Sequence, residues 1–191
     1  MKAMTADTNS TGLFPAALQT ERLCLRAITP DDAEEVFRRY ASDPEVTRYL
    51  SWPTHRTIED TRTFLMERTP ETRAAGGEIW VIEPLRGGPL LGAIGARLQF
   101  DCGVDFGYSL ARDAWGMGYA TEAASVVVEA ALAIPTIWRV QAMCDVEHQR
   151  SARVLQKVGL AYEGKLRRYC ILPNRSDEPR DMLCFAKVRD Y

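Results

Sequence analysis

The segment with the clearest chemical potential in this chain of 191 residues is Trp115-Gly116-Met117-Gly118-Tyr119-Ala120-Thr121. A strand is predicted before it and a helix after it. Glycines at such a junction let successive backbone N–H groups turn toward one point, and the start of the helix adds a partial positive charge. The segment therefore predicts a cradle that holds a pyrophosphate without Lys or Arg. The alternative interpretation is that the two glycines only ease a tight turn.

Two well-known phosphate-binding motifs do not fit this segment. It lacks the Gly-Lys-Ser/Thr ending of a P-loop. It also lacks the third glycine of a Gly-x-Gly-x-x-Gly dinucleotide motif, and no acidic residue ends the next predicted strand. The segment is therefore assigned to neither class.

The composition is that of one ordinary globular domain. The chain has 26 acidic and 24 basic residues, a formal net charge of -2 and a hydrophobic share of 46%. Disorder, collagen and coiled coil are excluded as its main character, and without a basic excess we expect no nucleic-acid partner. The five cysteines are odd in number and widely spaced, with no Cys-x-x-Cys pair, so neither a disulfide framework nor a metal site is predicted.

We expect a cytoplasmic protein with no membrane contact. Residues 1–17 are mostly small and polar and predict a flexible N-terminal tail. Asp7, Asn9 and Pro15 interrupt this stretch too often for the apolar core of a signal peptide. No later stretch reaches the roughly 18 apolar residues that a membrane span needs.

Because the polar tail ends near residue 17, a single domain is predicted over residues 18–191.

Hydrophobic periodicity, capping residues and glycine or proline breaks predict eleven elements in the order β-α-α-β-β-β-α-β-α-β-β. The predicted strands are 22–26, 78–84, 90–100, 104–110, 138–144, 161–169 and 182–188, and the predicted helices are 29–40, 57–73, 120–134 and 151–158. A run of antiparallel strands beside βα units is typical of a mixed α/β (α+β) domain.

Several motifs occur in one order along the chain. They are Thr20-Glu21-Arg22-Leu23-x-Leu25-Arg26, Ser51-Trp52-Pro53, Gly107-Tyr108-Ser109-Leu110, Trp115-x-x-Gly118-x-Ala120, the stretch 151–160 and Pro179-Arg180-Asp181-x-Leu183. Together they resemble the motifs of the GNAT acetyltransferases. Trp115 stands at the first position of the glycine motif, which is similar to the RimJ/RimL-type branch of that family. The resemblance covers residues 18–191.

This resemblance implies the GNAT acyl-CoA N-acyltransferase fold. In that fold a twisted, mostly antiparallel sheet is flanked by helices and splays between the strands near 104–110 and 138–144. Acetyl-CoA, the co-substrate, would lie in the splay, with no metal. Backbone groups of Tyr108, Ser109 and Leu110 would pair with the pantetheine arm, and the amides of residues 116–121 would take the pyrophosphate.

The implied reaction is direct attack of a neutral primary amine on the thioester carbonyl in a ternary complex. It requires loss of the ammonium proton, donors toward the oxyanion and a leaving thiolate. The acceptor is either a protein N-terminus or a small-molecule amine, and the protein is a monomer or a homodimer. A non-catalytic acyl-CoA-binding sensor is the alternative function.

Three polar side chains are candidates for the chemistry. Ser151 matches a candidate thiolate proton donor of RimL-like relatives, although it is equally suited to capping a helix. Asp105 is the candidate for a base that acts through a water molecule, and its alternative is a solvent-facing strand carboxylate. His148 stands where many relatives have Asn, so it either contacts CoA and carries a proton or is a solvated loop histidine.

Other residues mark departures from the family or a possible acceptor site. Where peptide N-terminal acetyltransferases have a Glu base and a Tyr acid, this chain has Met143 and Leu155. Trp52 and Tyr169 are candidates for lining an acceptor tunnel, although packing alone would also explain these aromatic residues. Cys144 with His148 would suggest a nucleophilic hydrolase, but no third orienting group is visible in the sequence.

Overall fold

The computed structural model describes residues 12–189, which contain eight strands and five α-helices. The strands are β1 (Ala17–Gln19), β2 (Leu23–Ala27), β3 (Glu78–Pro84), β4 (Gly92–Phe100), β5 (Gly103–Leu110), β6 (Arg139–Asp145), β7 (Ala161–Cys170) and β8 (Arg180–Val188). The helices are α1 (Ala33–Val36), α2 (Pro44–Thr47), α3 (Ile58–Ala74), α4 (Tyr119–Ala133) and α5 (Gln149–Lys157). Within this part of the chain, no helix is both long and apolar enough to cross a bilayer.

All eight strands belong to one sheet, in the order β1-β2-β3-β4-β5-β6-β8-β7. Neighbouring strands are antiparallel except for β5 and β6, which are parallel. Short turns join β1 to β2, β3 to β4 and β4 to β5, whereas the segment with α1, α2 and α3 joins β2 to β3. Helix α4 then carries the chain across to the parallel strand β6. The predicted mixed α/β class with a mostly antiparallel sheet is confirmed.

The parallel pairing of β5 and β6 ends after three residue pairs. Gly103, Val104 and Asp105 lie opposite Arg139, Val140 and Gln141, respectively. Beyond these pairs β5 stays on β4 as far as Leu110, and β6 stays on β8 as far as Asp145. The two central strands therefore diverge, as the splay predicted between residues 104–110 and 138–144 requires.

Helices cover both faces of the sheet and enclose two hydrophobic cores. The larger core holds the apolar face of α4, which buries Ala123, Ala124, Val127, Val128 and Ala131 at helical spacing. The smaller core lies between α1, α3 and the other face of β3 and β4, where Val36, Leu65 and Val81 are buried. The larger core also contains residues of β5 and β6, so α4 packs against both diverging strands on one face of the sheet.

The helix predicted over residues 29–40 is broken into three short segments. A 3₁₀ turn over Pro30–Asp32 leads into α1, and a π-helical turn over Phe37–Ala41 follows it. The backbone N–H and the side-chain hydroxyl of Ser42 both donate to the carbonyl of Phe37, at 3.2 and 2.8 Å. This contact to the fifth residue back widens the turn, and the sequence pattern gave no sign of it.

The predicted flexible tail, residues 1–17, falls mostly outside the described residues, but its end is packed. Phe14 is 2% exposed and meets the Trp80 ring edge-on, with ring centroids 5.8 Å apart. The Trp80 indole N–H donates to the carbonyl of Pro15 at 3.0 Å. The unpredicted strand β1 then pairs with β2. Packed structure therefore begins before residue 18, the predicted start of the domain.

Phe14→Ala tests this packing. Removing a buried phenyl ring leaves a cavity against Trp80, and we expect the free energy of unfolding to fall by about 3–5 kcal/mol. Ile171→Ala is the control, because Ile171 is 51% exposed and its truncation should change stability by about 0.5 kcal/mol or less. Urea denaturation gives both values, and equal stability of the two variants would contradict the packing described here.

Candidate active site

The candidate site is the cleft between the diverging ends of β5 and β6. After Asp105, the edge of β5 that faces β6 has no strand partner. Backbone N–H and C=O groups along such an edge need partners when water is displaced, so the cleft can take an extended ligand as an added strand. Tyr108, Ser109 and Leu110 lie on this edge, as predicted for a pantetheine contact.

Successive side chains of β5 point to opposite faces of the sheet, so each face of the cleft carries a different set of side chains. Tyr108 points to the face that carries α5, where its hydroxyl lies 3.0 Å from the hydroxyl of Ser151. Ser109 points the opposite way and shares a side-chain hydrogen bond with the buried Tyr40. The cleft therefore has different chemistry on each face.

The α5 face of the cleft holds a chain of three polar groups. Ser151 is only 9% exposed and shares hydrogen bonds with both Tyr108 and the Cys144 thiol. Burial raises the pKa of Tyr108 to about 12, against the opposing effect of the Ser151 hydrogen bond. The hydroxyls therefore keep their protons at neutral pH and can donate to an anion. Because α5 begins at Gln149 and His148 is its N-cap residue, Ser151 is not the helix cap that the alternative required.

Asp105 occupies the opposite face, at the point where the pairing of the strands stops. Its Oδ1 atom is buried and has no hydrogen-bond partner. Burial raises the pKa of Asp105 to about 6, although the Arg97 cation nearby acts in the opposite direction. The alternative of a solvent-facing strand carboxylate is therefore wrong. A carboxylate with this pKa is ionised at neutral pH and is basic enough to accept a proton.

The glycine loop lies between the cleft and the start of α4. Gly116 and Gly118 have φ angles of +76° and +83°, which L side chains rarely adopt. Within the described chain, the N–H groups of Gly116, Met117 and Gly118 have no protein acceptor. The Trp115 indole N–H donates to the Leu110 carbonyl at 2.8 Å and ties the loop to the end of β5. This geometry suits the predicted pyrophosphate cradle.

A basic surface beside the loop is absent from the sequence-based prediction. Arg150, Arg153 and Lys157 line a cavity of about 480 Å³ together with Trp115, Gly116 and Val154. The Arg150 guanidinium lies over the Trp115 ring, 5.4 Å from its centroid. The spacing of three and four residues along α5 was the available signal, since it puts all three cations on one helix face. These cations form a positively charged surface next to the loop.

His148 is not the solvated loop histidine of the alternative interpretation. Its ring stacks on Tyr49 at 4.3 Å with an interplanar angle of 10°. Burial lowers the pKa of His148 to about 4, so the ring is neutral at physiological pH. The Arg175 guanidinium also contacts Tyr49, 5.2 Å from the ring centroid. Tyr49 thus joins the loop after α2 to the loop before α5.

A buried ion pair fixes the turn between β6 and α5. The Asp145 carboxylate accepts from Arg180 Nε at 2.5 Å and from the Glu147 backbone N–H at 2.8 Å. Burial alone would raise the pKa of Asp145, but the contacts with Arg180 lower it. Because this turn leads into α5, the pair fixes the start of the helix that carries Ser151.

The hydrolase interpretation finds no support in this geometry. Cys144 is paired with Ser151, whereas His148 stacks on Tyr49, so the two do not form a nucleophile–base pair. Burial raises the pKa of the Cys144 thiol to about 11. A thiol in this state is a weak nucleophile at neutral pH.

The two aromatic candidates for acceptor binding lie in different surroundings. Trp52 packs against His55 and Phe64, with ring centroids at 4.8 and 5.2 Å. Tyr169 lies near the end of strand β7, and it lines a second cavity of about 480 Å³ beside Met143. Trp52 is not among the residues that line this second cavity.

Comparisons with known proteins identify the family of this chain. Residues 22–161 match the family described as an acetyltransferase (GNAT) domain. An uncharacterized N-acetyltransferase of Bacillus subtilis (strain 168), YoaA, is 33% identical over 159 residues, which are 82% of this chain and 89% of YoaA.

Solved structures share the fold. A GNAT-family acetyltransferase from Bacillus anthracis superposes with a TM-score of 0.76 at 26% identity, over 90% of this chain and 98% of the other. The microcin C7 self-immunity acetyltransferase MccE, solved with acetyl-CoA and AMP, superposes with a TM-score of 0.81 at 19% identity, over 94% and 100% of the two chains. The match over residues 22–161 covers most of the sequence, so this chain belongs to the GNAT family of acetyltransferases.

Proposed function

We propose that this chain transfers the acetyl group of acetyl-CoA to a primary amine by direct attack in a ternary complex, as a member of the RimJ/RimL-type branch. The observation that carries the proposal is the cleft with different groups on its two faces. Asp105 offers an unpartnered carboxylate oxygen on one face, and Ser151 with Tyr108 offers a pair of hydroxyls on the other.

In this proposal the CoA frame is bound along β5 and at the start of α4. The pantetheine arm takes the place of a strand beside Tyr108 and Ser109, and the pyrophosphate accepts from the free N–H groups of the glycine loop. The cations of α5 face the remaining phosphate charge of CoA. The thioester then lies at the vertex of the cleft, between Asp105 and Ser151.

The reaction balances with these groups. Asp105 takes one proton from the ammonium through a water molecule, and the neutral amine forms the new C–N bond at the thioester carbonyl. The C–S bond breaks, its electron pair leaves on the sulfur, and the second proton of the attacking nitrogen passes to that thiolate, so the products are the amide and the CoA thiol. Since a thiol has a pKa of about 8.5, far below that of Tyr108, Ser151 and Tyr108 stabilise the thiolate by donating hydrogen bonds rather than by full proton transfer.

A non-catalytic acyl-CoA sensor is the second candidate. It is favoured by Met143 and Leu155, which stand where peptide N-terminal acetyltransferases have their base and acid. Release of free CoA thiol over time, with acetyl-CoA and a panel of primary amines, separates the two functions. Turnover with at least one amine supports the enzyme. Tight CoA binding without turnover on a panel of peptides, polyamines and amino sugars contradicts it and supports the sensor.

Gly118→Val tests the phosphate cradle. A Val at φ +83° is strained, and its Cβ would lie 3.3 Å from an Arg22 nitrogen, so we expect CoA binding to be lost. Gly87→Val is the matched control, since Gly87 has φ +82° and open space around it. Both variants should lose about 1–2 kcal/mol of stability. Calorimetric titration with CoA compares them, and normal binding by folded Gly118→Val would place the phosphate elsewhere.

Asp105→Asn should lower kcat/KM by roughly 100- to 10,000-fold, the usual contribution of a positioned base. In the wild type, kcat/KM should fall as the pH drops through about 6, because the carboxylate takes up a proton. The folded protein raises this pKa, so the ionised carboxylate costs stability above pH 6. Asn removes that cost, and melting at pH 8 should rise by roughly 2–4 °C for each 1 kcal/mol gained. An active variant with an unchanged pH profile would exclude Asp105 as the base.

Ser151→Ala should reduce kcat by less than about 100-fold and leave acetyl-CoA affinity unchanged, since a thiolate is already a fair leaving group. Tyr108→Phe should act in the same direction. Because the two hydroxyls form one hydrogen-bonded pair, the double variant should lose less than the product of the two single effects. Unchanged kcat in Ser151→Ala would remove this residue from the mechanism.

A further inference from the structure

We propose that Arg22, which directly precedes β2, is a positioning residue for the glycine loop and orients it to receive the pyrophosphate. The inference rests on the proposed function, because it concerns how this chain binds CoA. Arg22 belongs to the Thr20–Arg26 motif. Neither the shape of the cleft nor the proposed roles of Asp105 and Ser151 explain what this residue does.

Arg22 makes three different contacts to the loop and the first turn of α4. Its Nη1 donates to the Met117 carbonyl at 3.1 Å, and its Nε donates to Glu122 at 2.6 Å. Its guanidinium also lies over the Tyr119 ring, 4.7 Å from the centroid. The planar fork of an arginine can meet an acceptor, a carboxylate and a ring together, which the single ammonium of lysine cannot.

The contact with the Met117 carbonyl fixes the direction of a neighbouring N–H group. A trans peptide unit is planar, so the carbonyl of Met117 and the N–H of Gly118 point in opposite directions. Arg22 holds the carbonyl on its own side. The Gly118 N–H, which has no acceptor within the described chain, is therefore turned away from Arg22 and toward the side where an anion would bind.

The contact with Glu122 neutralises a charge that would oppose the ligand. Glu122 lies in the first turn of α4, where a carboxylate stabilises the helix but repels an anion at the same terminus. Burial alone would raise the pKa of Glu122, but hydrogen bonds from Thr20 and from Arg22 lower it. Glu122 is therefore ionised, and Arg22 is the cation paired with it.

These two contacts predict opposite effects on CoA affinity for substitutions of Arg22 and Glu122. Arg22→Gln removes the donor to Met117 and leaves the Glu122 charge beside the phosphate site. Loss of one charged hydrogen bond is worth about 1.5–3 kcal/mol, so the Kd for CoA should rise by roughly 10- to 100-fold. Glu122→Gln removes the repelling charge, and in the Arg22→Gln background it should recover part of the lost affinity.

The experiment is a double-mutant cycle with the full chain. The Kd for CoA is measured by calorimetric titration for the wild type, Arg22→Gln, Glu122→Gln and the double variant, with melting temperatures in parallel. The matched control is Arg68→Gln, which breaks an exposed Arg–Glu pair on α3 with a 2.9 Å contact to Glu71. This control should bind CoA normally. kcat at saturating acetyl-CoA should change less than about twofold in Arg22→Gln, because the reacting groups are intact.

The outcomes separate this inference from the proposed function. If the wild type does not bind CoA, the proposed function fails and the Arg22 inference fails with it. If the wild type binds, unchanged affinity in Arg22→Gln overturns the inference alone. A loss of affinity that Glu122→Gln does not recover also overturns it, because a general loss of structure would be made worse, not better, by removing a second partner.

Discussion

The hydrogen bonds between β5 and β6 stop after Asp105 and Gln141, and the rest of the site depends on this. A sheet whose central strands diverge exposes backbone groups in its interior, and such groups need a partner. The structure keeps the divergence open because each strand is held on its other edge, β5 by β4 and β6 by β8. On one face of the sheet, α4 packs against both strands through the larger core. A long ligand that pairs along a strand is the occupant this constraint favours.

The same divergence gives the two faces of the cleft separate chemical tasks. Asp105 sits at the last paired position, where burial without a partner raises its pKa to about 6. Ser151 reaches the other face from α5, and the buried pair of Asp145 and Arg180 sets the start of that helix. In the proposed function, proton acceptance and thiolate stabilisation would therefore take place on opposite sides of the thioester.

Local signals in the sequence predicted the parts of the site that depend on local structure. The glycine loop and the helix after it follow from Gly116, Gly118 and the apolar spacing of α4, and these were predicted closely. The π-helical turn was not predicted, because it depends on hydrogen bonds from Ser42 to the carbonyl of Phe37, five residues back. The burial of Asp105 and the pairing of Arg22 with Glu122 depend on contacts between distant segments. No pattern within one segment reports such contacts.

A crystal structure of the chain with bound CoA tests the central claim most directly. The account predicts the pantetheine arm between β5 and β6, the pyrophosphate on the N–H groups of residues 116–118, and the sulfur within hydrogen-bond reach of Ser151. CoA bound outside the cleft, or a sulfur atom far from both Ser151 and Asp105, would contradict the account.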